Sequence, residues 1–272
     1  MVFEQIDRPK CKWEAAELLR SAQVSPMAMT ALYMAFLILM DLISTLAPAG
    51  FAGIFIYIFT RLLNTVLGAG FVLYCMAIRR GERAEYLVLF DGFSFVGKLI
   101  LLDILSSLFI FLWTLVFIFP GFIAAYRYRF AKFNLCENPG IGVLEALEMS
   151  KQQTLGYKFQ LFTLDLSYLG WSLLAAFPTL VLNFYINQEM IMELYLQGAA
   201  STITSFWGIP LLVWNLVLGL WQLAVAVFYL PNYLCVELSY FETAKRTSGI
   251  GEGAAPQTPS SWDGWTPPDG LG

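Results

Sequence analysis

The stretch LILLDILSSLFIFLWTLVFIF at residues 99–119 decides the fold, because it holds one charged side chain, Asp103, and begins directly after Lys98. A helix that crosses a bilayer needs about 20 predominantly apolar residues, and this stretch supplies them. Working outward, five more segments read the same way, at 27–47, 54–78, 121–136, 159–182 and 206–235, the one at 121–136 being short. Composition agrees: 58% of residues are hydrophobic and 13% charged, against roughly a quarter charged in soluble domains. A water-soluble fold could not hide that much apolar surface. The expectation is an all-α integral membrane protein with six transmembrane helices.

Basic residues set the expected orientation, since Lys and Arg near helix ends stay on the cytoplasmic side. They fall before the first span, after the second (Arg79, Arg80, Arg83, then Lys98), between the fourth and fifth (Lys151, Lys158) and after the sixth (Lys245, Arg246). The alternate connections, 48–53, Pro120-Gly121 and 183–205, contain none. Six spans with both termini in the cytoplasm satisfy every loop. Arg61, Arg127, Arg129 and Lys132 are discordant, lying inside spans two and four. The first 26 residues carry Arg8, Lys10, Lys12 and Arg20 with no apolar core before a cleavage site, so no removable signal peptide is expected.

Cys11, Cys75, Cys136 and Cys235 form no CxxC pair and read as reduced thiols. The chain has no His, which removes histidine metal sites and His general bases. A formal charge of −4 argues against a nucleic-acid partner; the basic residues suit anionic lipid head groups better.

Between the spans one module recurs, a short amphipathic helix on the cytoplasmic face followed by a transmembrane hairpin. The amphipathic pieces are Pro9–Ala22, Ala84–Val96 and Ile141–Thr154. WEAAELLRS at 13–21 shares Glu-Ala-x-Glu with LEALEMSKQ at 144–152, LLDILS at 101–106 matches TLDLS at 163–167, and FNLCE at 133–137 matches YLCVE at 233–237. These strings are either three parallel helical repeats or chance matches among apolar segments. The membrane domain is therefore drawn over 1–246 and a disordered cytoplasmic tail over 247–272, where Gly, Pro, Ser and Thr dominate. In that tail Trp262 and Trp265 either anchor a motif for a cytoplasmic protein partner or touch the membrane interface.

Charges in hydrocarbon cost several kcal/mol and usually face the bundle interior with a partner. Asp103, Arg127, Arg129 and Asp165 fall at one depth, roughly 7–13 Å inside the cytoplasmic edge at about 1.5 Å per residue. They read as a compensated intramembrane cluster, either salt bridges that fix helix register or a site for an ion or head group. Arg127 and Arg129 are two apart, so only one can face the bundle while the other points elsewhere or snorkels. Asp41 and Arg61 form a second candidate pair nearer the outer face. Lys151 and Lys158 are candidate head-group contacts. Trp207, Trp214 and Trp221 recur every seven residues, with Asn215 and Gln222 one position on, which reads as packing with interhelical amide bonds or as a stacked wall for a ligand. The connection at 183–205 reads as a helix lying on the outer surface, its Glu189 and Glu193 a weak calcium pair. No G-x-S-x-G, P-loop, HExxH or clustered metal ligands occur, so neither enzymatic activity nor a cofactor or metal is expected.

Pro120-Gly121, Glu137-Asn138-Pro139, Glu145-Ala146-Leu147 with Ser150, Gly156 and Lys158, and Leu164–Ser167 with Gly170-Trp171 together resemble a bacterial membrane family known as domain of unknown function nine-seven-five. The upstream LFDGF at 89–93 resembles it too, extending the likeness over most of 10–240. More loosely, the chain resembles the membrane part of some bacterial glycerophosphodiester phosphodiesterases, although it has no phosphodiesterase domain. The resemblance implies a bacterial plasma-membrane location and a six-helix fold, and carries no activity, ligand or catalytic residue. The sequence thus leads to a non-enzymatic scaffold or accessory factor binding membrane lipids or a protein partner. The alternative is a small transporter or lipid translocator using polar residues of spans three to six.

Overall fold

Local chemistry sets where the helices begin and end. The Asp7 carboxylate accepts the Lys10 N–H and Pro9 sits in the first turn of α1 (Arg8–Ser21), while Ser25 caps α2 (Pro26–Thr45), which opens on a proline; a first-turn proline loses no helical hydrogen bond. The computed structural model describes residues 4–48, 50–197 and 205–251. After α2 come α3 (Phe51–Arg79), a 3-10 segment (Tyr86–Phe95), α4 (Val96–Val116), α5 (Ile118–Arg127), α6 (Ala131–Glu137), α7 (Val143–Gln153), α8 (Lys158–Gln197) and α9 (Leu211–Ser248). A two-residue antiparallel pairing, Ser205 with Pro210 and Phe206 with Ile209, leads into α9. This is an all-α membrane protein: among the described residues five helical stretches are long and apolar enough to cross a bilayer, Pro26–Thr45, Phe51–Arg79, Tyr86–Val116, Lys158–Gln188 and Leu211–Ser248.

Packing is concentrated at one end of the bundle. Along α3, Phe51 is 87% exposed whereas Tyr74 is fully buried. The core gathers the last turns of α3 and α9, the first turns of α4 and α8, and α6; Ala15 of α1, Leu89 of the 3-10 segment and Leu147 of α7 join the same cluster. Glycine permits the closest approach. A Cβ on Gly70 would lie 1.9 Å from the Leu89 carbonyl oxygen, and one on Gly92 2.6 Å from that of Val66, so α3 and the 3-10 segment meet backbone to backbone. The opposite end presents Phe117, Phe119 and Phe184 outward, as lipid-facing surface does.

Five segment boundaries differ from the sequence expectation. The span expected at 121–136 is no single helix: it divides into α5 and α6 around Tyr128–Phe130. It is nevertheless the returning leg of a hairpin, because Lys98, at the start of α4, donates through Nζ to the carbonyls of Pro139 (2.5 Å) and Ile141 (3.0 Å). The turn between the two legs lies at the extended Phe117, not at Pro120-Gly121, which occupy the first turn of α5. The piece expected as an amphipathic helix at 84–96 is a 3-10 segment running directly into α4.

At the far end α8 continues to Gln197 instead of breaking at 182 into a separate surface helix; the side chains of Glu189 and Glu193 lie outside the described residues. Beyond 235, α9 carries on for a further thirteen residues to Ser248, with Gly249 in the left-handed conformation as its cap. At about 1.5 Å per residue α9 is about 57 Å long, well beyond the roughly 30 Å of hydrocarbon. Trp262 and Trp265 lie outside the described residues.

Candidate functional site

Helix α5 ends at Arg127 because another helix satisfies the backbone groups that the break exposes. Ser150 Oγ on α7 accepts the Phe130 N–H (3.1 Å) and donates to the Arg127 carbonyl (2.8 Å), with Thr154 Oγ1 adding a 3.4 Å bond to the same oxygen. One turn on, Asn134 and Gln153 exchange amide hydrogen bonds of 2.8 and 3.0 Å, both side chains buried. The break therefore costs few unpaired groups.

That break aims Arg129 into the bundle. Its Nη1 and Nη2 donate to the two carboxylate oxygens of Asp165 at 2.6 and 2.8 Å, its Nε donates to Glu237 at 2.5 Å, and Nη2 also meets the Tyr233 hydroxyl. Asp165 receives two more donors, the hydroxyls of Tyr126 and Tyr233, each at 2.8 Å. Bidentate pairing with both Asp165 oxygens served is the geometry that offsets the desolvation of buried ions. It ties α5–α6, α8 and α9 together as a lock.

Of the four residues read as one cluster, the structure joins only Arg129 and Asp165. Asp103 stands apart, accepting from Thr65 Oγ1 (3.4 Å) in a recess of about 140 Å³ that it shares with Ser106 and Lys132. Arg127 lies before the break and faces away, toward Trp113 and Pro120; its Nε is buried without a hydrogen-bond partner among the described residues. Depth alone put these four together, and the chain turn at 128–130 separates them.

Glu237, Tyr126 and Tyr233 complete the lock and went unread. The signal was the FNLCE and YLCVE correspondence, whose terminal acids both form ion pairs: Glu137 with Lys245 (2.6 Å) and Arg80 (3.6 Å), Glu237 with Arg129. Arg79 is held likewise, donating to Glu242, Ser239 and the Cys235 carbonyl. Lys151 pairs with Glu148 (3.0 Å) on the surface of α7, and its hydrogen bond holds the Glu148 carboxyl below the usual carboxylate range. Lys158 is half-buried at the start of α8. On α1 the Lys12 ammonium lies 4.1 Å from the Tyr168 ring, and burial, then Arg8, lowers its pKa.

The loosely packed half contains a different feature, a cavity of about 550 Å³ bounded by α2, α3, α8 and α9. Small-molecule sites run roughly 300–1,000 Å³. Its polar lining comprises Asp41, Asn64, Thr179, Asn183, Asn215 and Gln222. Asp41 and Arg61, expected as a pair, form no ion pair within 4 Å; Asp41 lines the cavity and Arg61 does not.

Side chains around the cavity fasten the helices. Gln222 donates to Thr179 (3.0 Å), Asn215 to Thr45 (3.0 Å), and Ser44 bonds Thr60 (3.0 Å). Trp221 Nε1 donates 3.0 Å to the Leu174 carbonyl, the group that Pro178 leaves without its helical partner because proline has no N–H. These amide and indole contacts are interhelical bonds. What they leave in the middle is a polar chamber walled by otherwise apolar spans.

Residues 115–246 match the family described as Protein of unknown function (DUF975). No curated protein and no solved structure matches the chain.

Proposed function

Over residues 115–246 the chain belongs to that family of unknown function, and we propose that it is a non-enzymatic membrane protein that binds a small polar solute in the chamber between α2, α3, α8 and α9 and serves its passage across the bilayer. The carrying observation is the chamber itself: about 550 Å³ lined by one carboxylate and four carboxamides. Polar groups at membrane depth are costly and mark solute paths. The compensated charges around Arg129 belong to the frame that holds the chamber's helices, not to the path.

The frame we infer has six crossings, the broken α5–α6 leg counted as one, with α1, the 3-10 segment and α7 at the interface. The packed end carries Arg79, Arg80, Lys98, Lys245 and Arg246, which supports placing it, and both termini, on the cytoplasmic side of a bacterial plasma membrane. The alternation of a short interfacial element with a helical hairpin supports the threefold parallel arrangement.

Substituted-cysteine labelling tests the reading. In a background with the four native cysteines replaced by serine, Asn215→Cys and Gln222→Cys react with a water-soluble thiosulfonate, whereas Val213→Cys and Val217→Cys, on exposed apolar surface of the same helix, do not. Equal reactivity at all four positions, or none at 215 and 222, refutes a water-accessible chamber.

A second reading is favoured by one observation. Lys158 has no hydrogen bond or ion pair among the described residues, so it is free to hold an anionic head group at the packed end. A lipid-binding scaffold, with Lys151 as a further head-group contact and a cytoplasmic protein recruited by Trp262 and Trp265, is that reading.

A further inference from the structure

The chamber's hydrogen-bonding groups are unequally used. Asn215 and Gln222 both spend an N–H on neighbouring helices, to Thr45 and Thr179, so the oxygen of each carboxamide remains to accept. Asn64 Oδ1 is buried with no hydrogen-bond partner among the described residues, and buried acceptors are normally paired. Asp41 adds a carboxylate with no cation within 4 Å among the described residues. Among the described residues no Lys or Arg lines the chamber.

We infer that the chamber takes a small organic ammonium ion, with Asp41 as its counter-ion and the carboxamide oxygens of Asn64, Asn215 and Gln222 accepting its N–H groups. The inference rests on the solute-binding reading above and names the class of solute. An inorganic cation would be served by oxygens alone, and calcium takes six to eight of them. Here Leu37, Ile38, Leu182 and Leu218 share the wall with the acceptors, a mixed surface that suits an ammonium carrying an alkyl body. An anion would meet the negative charge of Asp41 with no Lys or Arg in the described lining to offset it. A quaternary ammonium would have no N–H to offer, and the aromatic cage that recognises such ions is absent from the chamber's described lining.

Calorimetric titration of the purified full chain in lipid nanodiscs tests the class. The probes are n-butylammonium, the neutral butan-1-ol and tetramethylammonium. Butylammonium binds tightest of the three. Asp41→Asn weakens it by at least about tenfold, the scale of a charge-assisted hydrogen bond, and leaves butanol unchanged. Asn183→Phe, which fills the chamber from α8, removes binding while thermal unfolding confirms a folded protein. Butanol binding as tightly as butylammonium, with Asp41→Asn silent and Asn183→Phe still blocking, overturns the ammonium assignment and leaves the chamber as a solute site. Tetramethylammonium binding equally well overturns the role given to the carboxamide oxygens. Failure of folded wild-type protein to bind any probe overturns the inference, and the cysteine labelling then decides separately whether the chamber is a solute path.

Discussion

Replacing Arg129 by methionine removes the guanidinium from between two carboxylates while keeping a long apolar stem. The two acids are then left in different states. Asp165 keeps the hydroxyl donors of Tyr126 and Tyr233. Glu237, only 5% exposed, loses the one hydrogen bond its carboxylate makes among the described residues. Breaking a buried ion pair from one side costs about 3–5 kcal/mol, which for a chain of this size is a fall in unfolding temperature of about 6–20 °C. Most of that cost resides at Glu237. Arg129→Met with Glu237→Gln therefore recovers most of the loss, and Arg129→Met with Asp165→Asn recovers little. Thermal unfolding of the three variants in one mild detergent, followed by tryptophan fluorescence, measures the order. The reasoning is refuted if Arg129→Met costs under about 1 kcal/mol, below the range for a buried pair, or if the Asp165 variant is the better rescue.

Two further outcomes follow from the packing. Trp221→Phe strands the Leu174 carbonyl and lowers stability by about 1–3 kcal/mol; in a Pro178→Ala background, where the restored N–H can bond Leu174, the same substitution costs measurably less, and a double-mutant cycle that comes out additive rejects the link. Gly70→Ala, whose new carbon would collide with the Leu89 carbonyl at 1.9 Å, abolishes accumulation of folded protein. Gly97→Ala, near the start of α4 with nothing within 4 Å, leaves stability unchanged or raises it by about 0.5–1 kcal/mol. Fluorescence-detected size exclusion of the two variants side by side distinguishes them.

Hydropathy finds helices wherever apolar residues run uninterrupted, so α2, α3 and α4 begin and end within a few residues of the segments read at 27–47, 54–78 and 99–119. It fails where polar residues are buried by partners distant in sequence. The last turns of α9 looked like cytoplasmic chain because Glu237, Glu242, Lys245 and Arg246 follow one another closely. In the fold, Glu237 meets Arg129, 108 positions away, and Glu242 meets Arg79. The break in the returning leg was equally hidden, because it depends on Ser150 and Thr154 of another helix. Asp41 and Asn64 sit singly in apolar runs, and nothing local says that α8 and α9 bring amides to the same space. A sequence pattern records what each residue prefers; which polar residues share a cavity is a property of how four helices meet.

The tight packing at one end and the loose packing at the other make α9 a lever with its fulcrum at Glu237. From that point to Leu211 the helix runs about 39 Å. A tilt of about 5° about the lock would carry Asn215 through about 3 Å and Gln222 through about 2 Å at about 1.5 Å per residue, enough to part Gln222 from Thr179 or Asn215 from Thr45. Small rotations that leave the ion pairs intact at the packed end are thereby magnified into making and breaking contacts around the chamber.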